Sequence, residues 1–337
     1  MVKFVVRRLA LFCVALVLLS VVVFACLRIL PGNVAAVMAG TNSTPERLAA
    51  LSEQLGLNRS YPAQYFQWCS DLLHGNLGIS MLTGRSTMSQ ALVRAQVTLP
   101  LIVLGLLLSL IIGVPLGVLA ASKREGGLHS VLRYVSLAAG AVPALWGGLL
   151  LIMVFGKGVG FVGILPAQGF PDNGWASPGQ ALASLVLPAL SVGIISGAQM
   201  MRYTQSALDG VAESGFVTMS MAAGSTRARA LRTTGLRIVL PDLISVTGLS
   251  FAQMVTGVLV IENLFSLPGL ASMLVTDVGN RDLVKVQSEL MLLAAFFLLI
   301  GLVTDIAHRI ADPRLRTASA VVDAGSGGSS GEVGGAR

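Results

Sequence analysis

The chain has 337 residues, 54% hydrophobic and only 12% charged, with a mean hydropathy of +0.79. A soluble chain carries about a quarter of its residues charged, so this composition argues against a soluble globular enzyme and against disorder over most of the length. The net charge of +7 lies between apolar segments, a distribution that marks the cytoplasmic loops of a membrane protein rather than a nucleic-acid surface.

A helix needs about 20 apolar residues to cross the hydrocarbon core. Six stretches meet or approach that length: residues 9–27, 99–121, 134–156, 181–201, 243–261 and 290–304. The last is short and crosses only with Glu289 and Asp305 at its two interfaces. The first follows Lys3, Arg7 and Arg8 but is longer than a signal-peptide core and lacks a small-residue cleavage site, so it is expected to be retained. Cys13 and Cys26 lie in that apolar run and leave Cys69 without a partner, which gives no disulfide framework.

Residues 31–97 are too long for a simple outer turn. Thr44 is a good N-cap with Pro45 at the first helical position, and Leu48, Leu51 and Leu55 form a stripe ended by Gly56. A second helix is predicted after Pro62, with Tyr65, Trp68 and Leu72 on one face. It reads either as a helix lying at the membrane boundary or as a docking surface for an external partner.

The inner segment, residues 202–242, carries a helix-compatible stretch from Phe216 to Arg237, broken at Gly224. Ser220, Met221, Ala222 and Ala223 precede the break; Ser225, Thr226 and Arg227 follow, with Arg229 and Arg232 beyond. Small residues admit a close partner backbone and a lone Gly permits a sharp turn, which suits a knob inserted into another protein. Arginines meeting anionic lipid headgroups are the competing reading. The segment from residue 312 to the end is a tail, expected to be disordered from about residue 318 because it is rich in Gly and Ser.

With the N-terminus inside, the inner segments carry Lys3, Arg7, Arg8, Lys123, Arg124, Arg133, Arg202, Arg227, Arg229, Arg232, Arg237, Arg309, Arg314 and Arg316. The outer segments carry half as many: Arg47, Arg59, Arg85, Arg94, Lys157, Arg281 and Lys285. Both termini are therefore expected on the cytoplasmic side. No lysine ends a Gly-x4-Gly-Lys-Ser/Thr string, and His74, His129 and His308 show no metal-ligand spacing. Arg28, Asp242, Glu262, Glu289 and Asp305 fall near helix ends, where they are expected to reach water or headgroups. Without midplane charges a proton-coupled carrier is disfavoured, so the driving force is expected from a bound partner.

Several short motifs follow one another along the chain: Leu30-Pro31-Gly32, Thr44-Pro45-Glu46, Leu55-Gly56-Leu57, Gly75-Asn76-Leu77-Gly78 and Pro115-Leu116-Gly117. The inner stretch 216–224 with Leu240-Pro241, then the run from Glu262 to Gly269 in the pattern E-x-x-F-x-x-P-G, and finally Asp312-Pro313-Arg314 complete the series. In this order they resemble the permease subunits of the oligopeptide/dipeptide (peptide/nickel) class of ABC importers, along nearly the whole chain except the tail. The inner loop resembles that family's EAA loop but has Thr218, Met219 and Ser220 where the initial Glu-Ala-Ala stands.

The resemblance implies an all-α integral membrane protein of the type I importer permease fold, with no catalytic, metal or cofactor site of its own. It implies a cytoplasmic-membrane complex in a bacterium, with a second homologous permease, two ATPase subunits or domains carrying ATP and Mg, and an extracytoplasmic substrate-binding lipoprotein. Residues Ser220 to Arg227 become the expected coupling element to the ATPase. Glu262, Phe265, Pro268 and Gly269 become an external gate or docking loop, with Glu262 as anchor of the loop's fold the competing reading. The implied cargo is dipeptides or oligopeptides; nickel or another small solute is the alternative, and a stand-alone secondary carrier a more distant one.

Overall fold

The computed structural model describes residues 2–29, 35, 44–54, 56, 58–80, 83–123 and 127–311. Leu30-Pro31-Gly32, Leu55, Leu57, Arg124, Asp312-Pro313-Arg314 and the Gly/Ser tail lie outside the described residues.

The described residues are helical with mostly short connections, apart from residues 156–177, which hold one 3-10 turn (Gly174–Ala176). Helix α1 (Val2–Ile29) is apolar on nearly every face and leaves Leu9, Val14, Leu18 and Val22 exposed, as a peripheral helix in lipid does. Helix α2 (Pro45–Gln54) begins at the residue after Thr44, and α3 (Tyr61–Leu73) carries Tyr65 and Trp68 on one face, as the sequence predicts. That face packs on α1: the Tyr65 hydroxyl lies 2.7 Å from Ser20 Oγ, and the Phe24 ring sits 5.5 Å from Tyr65 and 6.2 Å from Trp68.

Helix α4 (Thr87–Ser122) has 36 residues. At 1.5 Å per residue it is about 54 Å long, well beyond a bilayer core of about 30 Å. The sequence reading began this span at Leu99; the helix starts three turns earlier because Gln90, Arg94 and Gln96 are good helix formers once other segments pack on them.

The predicted third span, 134–156, is corrected by the structure. It is two helices, α5 (Gly127–Ala141) and α6 (Ala144–Phe155), bent by 104° at a break centred on Pro143. Pro143 lacks an N–H and forces the preceding residue out of the helical region, so the ladder stops there.

Helix α7 (Pro178–Val211) and the later helices extend well into the inner segment. After α8 (Gly215–Ala222) and the single turn α9 (Arg227–Ala230), a π turn (Leu231–Gly235) leads without a gap into α10 (Leu236–Leu264). Leu240-Pro241, read as the start of span five, therefore sits inside a continuous helix. Helix α11 (Leu270–Gly279) is short, and α12 (Leu283–Ala311) is 29 residues long, so the sixth span is far longer than its predicted 290–304. Among the described residues five helices can cross a membrane by length and composition, and six if the bent α5–α6 pair is one span.

The start of α1 and the end of α12 meet: Arg8 Nη1 lies 2.6 Å from Asp305 Oδ2, and the Arg309 guanidinium stands 4.2 Å above the Phe4 ring. Both helical termini thus share one end of the bundle, the basic end. The core has two parts. One, around Leu101, Leu185, Leu187, Met254, Ile261 and Phe265, joins α4, α6, α7 and α10 toward the outer end. The other, around Met200, Leu208, Val217, Leu231 and Val239, joins α7, α8 and α10 at the inner end.

Helices α4 and α7 touch through small residues. A Cβ on Gly113 would lie 2.6 Å from the Gly197 carbonyl oxygen, and one on Gly117 would lie 2.5 Å from Thr204 Cβ. Gly113 and Gly117 are thus close-packing positions between two spans. Replacing Gly117 with Leu should force the pair apart and cost about 1–3 kcal/mol. A fall in the thermal unfolding midpoint of the detergent-solubilised chain is the expected readout.

Candidate functional site

The inner knob is built from the backbone outward. Helix α8 ends at Gly224, whose φ of +92° is left-handed. The Gly224 N–H donates to Met221 O at 2.9 Å and the Ser225 N–H to Ser220 O at 3.2 Å, the paired bonds of a Schellman C-cap. Thr226 then caps α9, its Oγ1 accepting from the Arg229 N–H at 3.4 Å. The two caps fix the turn between helices without help from neighbours.

Val217 is fully buried and pins α8 to Leu208, Leu231 and Val239. On the other side Phe216 is 65% and Met219 75% exposed, with Met221, Ala222, Ala223 and Gly224 also open to solvent. The sequence reading singled out Ser220 to Arg227. The structure brings Met221 to Gly224 onto the protruding tip, with Thr226 as a cap. Ser220, Ser225 and Arg227 are half-buried, and Arg227 turns Nε and Nη2 inward without a hydrogen-bond partner. Phe216 and Met219, which supply most of the apolar area, were passed over because an exposed apolar face carries no distinguishing pattern within a membrane sequence.

At the outer end, Glu262, Phe265 and Gly269 are buried and Pro268 is half-buried. The sequence reading gave these four residues to an external gate or docking loop, with Glu262 as anchor of the loop's fold the competing reading; the structure places Glu262 at the centre of a buried hydrogen-bond cluster. The Glu262 carboxylate accepts from Thr98 Oγ1 at 2.5 Å and from the Ser272 N–H at 2.9 Å, and faces the Ala271 N–H as well. Thr98 Oγ1 accepts in turn from the Leu270 N–H at 2.8 Å, and Ser272 Oγ from the Gly269 N–H at 3.1 Å. The first N–H groups of a helix have no partner within it and favour negative charge. Here a carboxylate from α10 and a hydroxyl from α4 satisfy them, which ties three helices together. A Cβ on Gly269 would run into that carboxylate, so only glycine leaves room. Thr98 and Ser272 carry no motif and were not foreseen.

Glu289 does not reach water either, contrary to the sequence expectation; it is buried together with Asp277, Asp282 and Lys285. Lys285 Nζ lies 2.6 Å from Asp277 Oδ2, donates to Gln90 Oε1 at 3.1 Å and stands 3.8 Å from Glu289 Oε1. Ser80 Oγ donates to Asp282 Oδ2 at 2.7 Å. Side chains from α4, α11 and α12 converge on this one ammonium. Removing it by Lys285→Met leaves buried carboxylates without their cation and should cost about 3 kcal/mol. The double variant with Glu289→Gln should recover part of that loss, as a thermal melt of both proteins in detergent would show.

Residues 113–317 match the family model described as "Binding-protein-dependent transport system inner membrane component", and residues 1–87 match its companion for the N-terminal part. The chain belongs to this family. It is a multi-pass inner-membrane permease of a bacterial ABC importer, a membrane component without ATPase activity. The permease is 31% identical over 317 residues to the probable peptide ABC transporter permease protein of Sinorhizobium fredii, covering 93% of this chain and 99% of the relative. It is 31% identical over 336 residues to the dipeptide transport system permease protein of Escherichia coli, covering 94% and 99%. Membership implies ATPase and binding-protein partners.

Proposed function

We propose that this permease carries dipeptides or oligopeptides into the cytoplasm, paired with a second homologous permease and driven by two ATPase subunits or domains that hold ATP and Mg. The likeness along nearly the full chain to two permeases named for peptide or dipeptide transport supports the cargo. The single structural observation that carries the coupling is the α8 knob, solvent-facing through Phe216, Met219 and Met221 and rooted through Val217. Apolar area exposed in this way on a rigid base fits a groove on another protein. Closure of the ATPases on ATP moves the knob, and the buried contacts of Val217 with Leu208, Leu231 and Val239 pass the displacement to α7 and α10. An extracytoplasmic binding lipoprotein delivers the cargo at the outer end.

The test is reconstitution of the purified permease with the subunits that copurify with it, followed by ATP-dependent uptake of a labelled dipeptide and, separately, of radiolabelled nickel. Uptake of the peptide but not of the metal is expected. Uptake of nickel alone overturns the peptide reading, and peptide uptake by the isolated chain without ATP overturns the coupling.

A further inference from the structure

The outer end of the bundle holds a cleft of about 340 Å³ between the first turns of α4, the α6–α7 loop and Pro268. Its walls are fixed in place. The Trp175 indole N–H donates to Gln96 O at 2.8 Å, the Phe170 and Trp175 rings pack edge to face at 6.0 Å, and the Gly169 N–H donates to Phe265 O at 2.8 Å. Arg94 on α4 and Asp172 on the loop both line it. Among the described residues neither side chain forms a hydrogen bond or ion pair; Asp172 is exposed, and Glu262, whose charge interacts with that of Arg94, is already held by Thr98 and Ser272.

The Arg94 guanidinium is half-buried and feels the Glu262 charge without a direct ion pair among the described residues, so its hydrogen-bonding fork is open to a ligand anion. One cation on α4 and one anion on the α6–α7 loop, lining the same cleft as the Phe170 and Trp175 rings, match a solute carrying a carboxylate, an ammonium and an apolar body. That is the chemistry of a short peptide with free termini. A bare divalent metal ion calls for several oxygen or nitrogen donors and gains nothing from a guanidinium.

We propose that this cleft is an outer peptide-binding site through which the cargo passes between the binding protein and the bundle. Arg94 takes the C-terminal carboxylate through its planar fork, Asp172 takes the N-terminal ammonium, and Phe170 and Trp175 contact the side chains. The assignment rests on the peptide reading given above.

The experiment uses the complete importer in proteoliposomes, with wild-type permease and the variants Arg94→Gln, Arg94→Lys and Asp172→Asn. Uptake of labelled trialanine and ATP hydrolysis stimulated by the loaded binding protein are measured side by side. Losing one charge-assisted contact of about 1.5–3 kcal/mol predicts a rise of about tenfold or more in the KM for uptake with Arg94→Gln. Stimulated ATP hydrolysis stays at the wild-type level, and Arg94→Lys, which keeps the charge but not the planar fork, regains only part of the uptake. Uptake and stimulation falling together would mean that the cleft contacts the binding protein, and unchanged uptake would mean that it holds no ligand. A loss that tracks a lowered melting temperature would make Arg94 structural. Each of these three results overturns the proposal. A wild-type importer that takes up no peptide overturns instead the cargo reading on which it stands.

Discussion

Replacing Gly224 with Val should reduce ATP-driven uptake to background while the permease remains in the membrane at normal abundance. Among the described residues no atom lies within 4 Å of where a Cβ would stand, so the added Cβ itself meets no clash. Its effect is on the backbone. A β-branched residue held at φ +92° is strained by about 1–2 kcal/mol or more, which the two hydrogen bonds of the C-cap cannot offset. The chain relaxes by abandoning the left-handed turn, and the Met219–Gly224 tip swings relative to Val217. Asn tolerates the left-handed region, so Gly224→Asn should retain more uptake than Gly224→Val. Retention of ATPase subunits through purification, measured beside uptake, separates lost docking from lost transmission. Equal uptake by the wild type and the Val variant would falsify the coupling role of this turn.

The second large effect is expected at Glu262. Glu262→Ala removes the acceptor for Thr98 Oγ1 and for the N–H groups of Ser272 and Ala271, within a junction where Glu262 and Thr98 are buried. Each buried donor left unsatisfied costs about 1–3 kcal/mol, so the variant should lose roughly 4–5 kcal/mol in total. Glu262→Gln restores the shape, but its amide hydrogens replace an acceptor oxygen at a helix N-terminus that presents donors, so only partial recovery is expected. Limited proteolysis reads the outcome directly. The segment from Phe265 to Arg281 should be cleaved faster in Glu262→Ala, slightly faster in Glu262→Gln, and not in the wild type. A wild-type cleavage pattern in Glu262→Ala would show that the junction is held by other contacts.

The two sites differ in how they were read. The turn at Gly224 was legible because its cause is local: small residues, then a glycine, then a capping threonine, within one short stretch. The role of Glu262 was left between gate and anchor. Its burial depends on Thr98, which is 164 residues away along the chain, and on the helix that begins at Leu270. The same limit explains Glu289, expected near water by its position at a predicted span end. Its environment is set by Asp277, Lys285 and Gln90 on three different helices.

A multi-pass helical membrane protein, the course of its main apolar segments and the basic end of the bundle are all legible in the chain before it folds. These follow from the cost of taking charge and unpaired backbone out of water, which acts on each segment independently. Its motif order determined the family. The tertiary packing sets the break of the third span at Pro143, the contact of α4 and α7 through Gly113, Gly117 and Gly197, and the burial of Glu262 and Glu289. It also brings Arg94 and Asp172 to one cleft. Each of these depends on which surfaces meet, and a neighbour that satisfies or excludes a side chain is not encoded in the few residues around it.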